Sequence, residues 1–443
     1  MFQDSRPDPF VIRKIPAPFT FLFLHQIGAM TALMTLAHPN VQKLMNSGET
    51  FDAVIVEGFN FDALFGLAQH FNCPLIVVTP FGAVKWANAM TGNESPSSYV
   101  PQPFLHYTDK MTFKERLYNT FVSLIEHVAF EIVHIPWQSK IYKEYFPNAK
   151  TSFREALKSP AIVLLNNYVA SSSARPYLPN MIEIGGVHID PVKELPKDIQ
   201  DYLDSAEYGV VYFSMGSVVQ SKDWPIEKRE ALTKAFGKLK QKVLWKYENE
   251  TLPGNPGNIM IGSWLPQRDI LAHPNVKVFI THGGIFGTTE ALVEGVPVLG
   301  LPIFGDQNMN MAKAERKGYG LKIDFDDISE ELISEKLQEL LINPTYYKKA
   351  KEISKRYLDR PITPKKAVSF WVEYAIRHNG ADHLKAVGNS LNFFQFHLFD
   401  VYVTLFLFAF IFLTINIVII RKIARKIFSK KAAVEEAKSK KNK

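Results

Sequence analysis

WLPQRDILAHPNVKVFITHGGIFGTTEALVEGVPVLGLPIFGDQNMN, residues 264–310, contains two short apolar runs, each followed by a cluster of small and polar residues. The first run, 276–280, has the length and β-branched content of a buried parallel strand and ends at Thr281 and His282. Gly283 and Gly284 let a ligand approach the backbone closely, and the pattern then predicts a helix over about residues 286–293. The free N–H groups and positive dipole end of such a helix favour a phosphate. Glu290 is too deep in it to act as a cap but near enough to its start to reach a polar ligand group, and Gly295 stops the helix. The second run, 298–302, leads into Phe304, Gly305, Asp306 and Gln307, beyond the carboxyl end of a strand, where open α/β sheets hold their ligands. Asp306 and Gln307 are suited to vicinal hydroxyls.

Upstream, GVVYFSMGS (209–217) reads as another strand with a turn at Gly216 and Ser217, which offers N–H and hydroxyl donors. Taken alone, a Gly-Ser turn is an ordinary β-turn. The first half of the chain alternates apolar runs with helical patterns: AVIVEGF at 53–59, LIVVTP at 75–80 and AIVLLNN at 161–167. VVYFSM, KVLWKY, NIMIGSW, VKVFIT and PVLGLP follow a Pro- and Asp-rich linker at 189–196. The pattern predicts an α/β fold with two domains, 1–188 and 189–360, then a helical segment at 361–400.

The net charge of +7 is a property of the tail: residues 421–443 carry ten Lys or Arg and two Glu, so the other 420 residues sum to −1. That distribution excludes a nucleic-acid-binding stripe in the body. The tail follows VYVTLFLFAFIFLTINIVII, 401–420, twenty uncharged residues that read as a transmembrane helix, and the positive-inside rule puts the tail in the cytoplasm. Its last residues, Lys440, Lys441, Asn442 and Lys443, resemble a dilysine retrieval signal of the endoplasmic reticulum. Asn93 and Asn249 open sequons, as a lumenal body would allow. Cys73 is the only cysteine, which excludes an intramolecular disulfide and a cysteine-built metal site. A dinucleotide oxidoreductase would need a G-x-G-x-x-G after the first strand of a domain, and the chain has none.

W-x-P-Q, then H-G-G, then Glu eight residues after the His, then D-Q sixteen residues after the Glu, resembles the UDP-glycosyltransferase family of animal membrane enzymes. Segments such as MTGNESPSSYVPQPF (90–104) and LPNMIEIGGVHI (178–189) are most similar to insect members. The resemblance implies a GT-B fold, two facing Rossmann-like domains, the second holding the donor. It implies that Trp264 stacks on uracil, that Gln267 and Glu290 hold ribose hydroxyls, and that His282 and the Gly287 backbone hold the diphosphate with Gly216, Ser217 and Gly284 beside them. Asp306 and Gln307 would hold the transferred sugar. The reaction implied is inverting transfer of a hexose, glucose or glucuronic acid, to a hydroxyl of a small lipophilic acceptor, with UDP-sugar as co-substrate, no metal, and a homo- or hetero-oligomeric partner possible in the membrane.

Two features depart from the family pattern. Glu57 stands where relatives usually carry the Asp that orients the catalytic histidine, so the carboxylate remains with one more methylene. No residue matches the base histidine itself, and residues 1–20 lack the apolar core of a signal peptide, so the chain reads as starting inside the first domain. His25 lies in an apolar helical pattern and reads as a packed core residue. The alternative from a different class is a truncated, inactive membrane protein that binds UDP-sugar or a partner.

Overall fold

The computed structural model describes residues 8–441. They divide into two units, Met1–Ala386 and Val387–Lys443. The N-terminal residues 1–7 and the last two positions of the dilysine pattern, Asn442 and Lys443, lie outside the described residues.

The larger unit is built on two all-parallel sheets. Strands β1 (Val54–Glu57), β2 (Leu75–Thr79), β3 (Ile162–Leu165) and β4 (Met181–Glu183) lie side by side in chain order. Strands β5 (Val210–Ser214), β6 (Lys242–Lys246), β7 (Ile259–Gly262), β8 (Val276–Thr281), β9 (Val298–Gly300) and β10 (Gly320–Lys322) take the order β10-β9-β8-β5-β6-β7. β3 and β5 are buried at every position, which is why they read as unbroken apolar runs rather than alternations.

Helices cover the sheets. In α1 (Ala17–Ala37) the buried residues Phe21, His25, Gly28, Ala32 and Leu36 recur at intervals of three and four, the seam of a helix that packs on one side. α2 (Phe113–Ala129) starts at a capping box formed by Thr112 and Glu115 and passes through a π-helical turn, Phe130–His134, into α3 (Ile135–Tyr145). α4 (Ile285–Glu294) and α5 (Gln307–Lys317) follow β8 and β9. α6 (Pro364–Arg377) comes after the second sheet in sequence yet packs Trp371, Val372 and Ala375 against Ile76, Ile162 and Leu164 of the first. In the smaller unit, α7 (Phe399–Lys441) is one continuous helix that contains the apolar stretch 401–420 and the basic tail.

Candidate functional site

Strand order creates the site. β5 and β8 are neighbours although β6 and β7 lie between them in sequence, and Ser214 pairs with Thr281 at their carboxyl ends. The chain leaves this pair in opposite directions, and the crevice opened at such a switch point is where α/β sheets bind ligands. It brings the turn at Gly216 and Ser217 beside the loop at His282 to Gly284.

The His282 imidazole fills the space between the two backbones. A Cβ on Gly216 would lie 2.8 Å from its Cε1, and one on Gly284 would lie 2.3 Å from its Nε2. Gly216 also has φ +78°, which a side chain rarely adopts. Burial pushes His282 down to about 4, so the ring is neutral at physiological pH and donates from one nitrogen only. Among the described residues its Nδ1 has no hydrogen-bond partner. Directly after it α4 begins at Gly284, with no side chain on its first-turn N–H groups.

One turn along α4, the Glu290 carboxylate accepts from Gln267 Nε2 at 2.5 Å, and Gln267 Oε1 accepts from Tyr212 Oη at 3.3 Å. A Cβ on Gly287 would lie 3.2 Å from Gln267 Nε2, so the small residue keeps this pair close to the helix. Burial raises the Glu290 carboxyl, and the Gln267 bond opposes that shift. Trp264 is 76% exposed, with the Lys246 ammonium 6.0 Å from its ring centroid. An indole left in water adds little to the core, and its exposed surface is available for stacking.

At the start of α5, Asn310 Nδ2 donates to Asp306 Oδ2 at 2.7 Å and to the Gly283 carbonyl at 3.0 Å, tying the two loops together. Burial raises the Asp306 carboxyl. Gln307 differs from the expectation of a paired hydroxyl acceptor. Its Oε1 accepts from the Ile303 and Phe304 N–H groups at 2.8 and 3.0 Å, which leaves only its amide N–H groups for a ligand. Sequence reading missed Tyr212, Asn310 and Lys246. The i,i+4 spacing of Asp306 and Asn310 was the one local signal available.

In the first sheet, Glu57 is exposed at the end of the edge strand β1, and partial burial raises its carboxyl. The loop after it is held from the π-helical turn and α3: Asp62 meets His134 at 2.8 Å, while Gln138 donates to the Asn60 carbonyl at 2.8 Å and accepts from Ala63 N–H at 2.9 Å. His25 is a core residue 4.8 Å from the His134 ring, pushed down to about 3 by burial and secondarily by His134. One sequon needs correction. Asn93 is 8% exposed, and its amide nitrogen bonds Asn88 Oδ1, the Glu94 carbonyl and the Pro176 carbonyl, which leaves no accessible nitrogen for a glycan. Asn249 is exposed.

The buried histidines set an acid limit. His25 and His282 bind a proton near 6.5 when unfolded but resist it when folded, so their stability is complete above about pH 6.5 and declines as pH falls towards about 4 and then about 3. In thermal melts from pH 7 to pH 4 the two histidines should pull the midpoint down, against the raised Glu126 carboxyl, which acts in the opposite sense. His25→Leu should flatten that slope; an unchanged slope would remove His25 from the account.

Residues 35–438 match the model of a family described as UDP-glucoronosyl and UDP-glucosyl transferase. The chain is 40% identical over 381 residues to UDP-glycosyltransferase UGT5 of Dactylopius coccus, covering 86% of this chain and 72% of that protein. It is 33% identical over 405 residues to UDP-glucuronosyltransferase 2A2 of Homo sapiens, covering 90% and 74%. Among solved structures, the glycotransferase of kitacinnamycin superposes with a TM-score of 0.57 at 16% identity over 82% of this chain and 84% of that one. UDP-glucose: anthocyanidin 3-O-glucosyltransferase in complex with UDP gives 0.53 at 16% over 85% and 84%. At these identities the structural likeness establishes the GT-B fold, two parallel-sheet α/β domains.

Proposed function

Because this chain belongs to the UDP-glucoronosyl and UDP-glucosyl transferase family, whose members pass sugar from a UDP-sugar to an acceptor, we propose that it transfers glucose or glucuronic acid, with inversion, to a hydroxyl of a small lipophilic acceptor. The observation that carries this reading is the neutral, partly buried His282 between two glycine turns at the start of α4. The acceptor oxygen attacks the anomeric carbon, the bond from that carbon to the β-phosphate oxygen breaks, and the electron pair leaves with UDP. The acceptor proton passes to a general base that Glu57 would orient. Trp264 takes the uracil, Gln267 and Glu290 the ribose, and Asp306 with the Gln307 amide the sugar. His282, the Gly287 N–H, the α4 start and the Gly216–Ser217 turn meet the diphosphate charge.

The reaction in this reading has UDP-sugar as co-substrate and no resident metal. The full chain in membranes, given a phenol with UDP-glucose or UDP-glucuronate, should yield a β-glycoside, with the same rate in EDTA. Tight UDP binding without any transfer would favour the inactive binding protein, and an α-glycoside would remove inversion.

Location belongs to the same proposal: an endoplasmic reticulum membrane protein, crossing once through 401–420, with a lumenal body. The exposed Asn249 then carries an endoglycosidase-sensitive glycan, and Asn249→Gln should abolish the mobility shift. A chain that shows no shift before the substitution would count against a lumenal body.

A further inference from the structure

A cavity of about 290 Å³ lies between the later turns of α5 and loops of the first sheet's half. Lys313, Arg316 and Lys317 line it from α5; Thr108, Asp109 and residues 172–174 line it from the other side. At about 30 Å³ per water this is space for roughly ten waters, or for one ring carrying a small substituent.

The charges around it do not balance. Arg316 is matched by Asp109 at 3.2 Å and also bonds Thr108. Lys317 Nζ donates to a neutral group, the Ala170 carbonyl, at 2.9 Å. Among the described residues Lys313 has no hydrogen bond or ion pair. The negative charges that act on it, Asp306 and Asp109, already hold Asn310 and Arg316 respectively. Arg175 adds a further positive field. Burial pulls Lys313 down to about 8, with Asp306 and Asp109 opposing and Arg175 and Lys317 adding to the pull. Partly buried cations that outnumber their counter-charges are costly, and a bound anion would offset that cost. Ser172 accepts from Asn167 Nδ2 at 3.0 Å, so its own hydroxyl hydrogen is free to donate into the cavity.

We propose that this cavity is a carboxylate subsite, in which Lys313 and Lys317 pair with the anionic group of a small substrate lying across the cleft and Ser172 donates to it. The inference rests on the sugar-transfer reading, because Asp306, the residue assigned there to the transferred sugar, lies seven residues before Lys313, about 10 Å along the same helix. The carboxylate has two possible sources: the uronic acid of the donor, or an acidic group on the acceptor.

Equilibrium binding to the full chain in detergent separates them. The acceptor arm compares 4-hydroxybenzoate with its methyl ester on the UDP-saturated protein; the donor arm compares UDP-glucuronate with UDP-glucose. In at least one arm the acid should bind about tenfold more tightly than its neutral partner. Lys313→Met should erase that preference while leaving the neutral ligand and UDP unaffected, Lys313→Arg should retain it, and Lys317→Met should weaken it. Lys317→Met also serves if Lys313→Met does not fold, as its UDP affinity would reveal. No preference for the acid in either arm, or a preference that survives both methionine variants, overturns the proposal. Binding is read without turnover, so a failure of transfer would count against the proposed function and leave the carboxylate preference measurable.

Discussion

Replacing His282 with alanine should lower kcat for sugar transfer by about 10²- to 10³-fold, the range found when one donor to a developing oxyanion is removed. The imidazole is neutral and half-buried between the Gly216 and Gly284 backbones, so it can give a hydrogen bond after losing little of a hydration shell. That bond strengthens as charge collects on the departing β-phosphate, which places the loss in kcat more than in affinity. UDP binding should weaken by less than about tenfold, a single neutral hydrogen bond's share. His282→Gln, which keeps an N–H, should recover part of the rate. A kcat close to that of the unmodified chain would remove His282 from the chemistry.

Glu290→Ala should act on the other side of the same ledge. Its carboxylate holds Gln267 at 2.5 Å and, in the proposed complex, a ribose hydroxyl, so truncation removes a charge-assisted bond and leaves the Gln267 amide without its partner. Bonds to charged groups are worth about 1.5–3 kcal/mol, which converts to a UDP dissociation constant raised by roughly 10- to 150-fold. Uridine should lose the same factor, because the interaction is with ribose. The His282 variant should leave uridine untouched. Calorimetric titration of both ligands against both variants gives four numbers, and equal loss of UDP and uridine in the His282 variant would contradict the assignment.

The local parts of the site were legible in the sequence because each is a short pattern at the end of an element. The apolar run before His282 is β8, the helix predicted over about 286–293 is Ile285–Glu294, and the acid one turn in faces Gln267. What joins these parts was not legible. That β8 lies beside β5 rather than β7 is a matter of sheet pairing, and without it Gly216 and His282 are merely two positions far apart in the chain. Asn93 satisfies the sequon pattern, but its amide is buried by a contact with Pro176 from a distant segment. The oxygen of Gln307 is taken by a loop that folds back on it, and the cations of α5 acquire their cavity only where loops from the other half of the unit meet them. Residue type and spacing carry no information about such long-range contacts.

The final helix has a mechanical consequence. At about 1.5 Å per residue the 43 residues of α7 make a rod of roughly 65 Å, about twice the hydrocarbon thickness of a bilayer. The basic half is therefore a stiff post and not a loose thread. In the proposed crossing through 401–420, Arg421 and Lys422 would stay at headgroup level, while Lys440, nearly twenty residues further on, would be carried on the order of 30 Å from the surface, several Debye lengths beyond the field of anionic lipids. A soluble receptor that reads Lys440 would meet it at a height and a bearing set by the span. Deleting a single residue from the post would lower it by about 1.5 Å and swing it through about 100°.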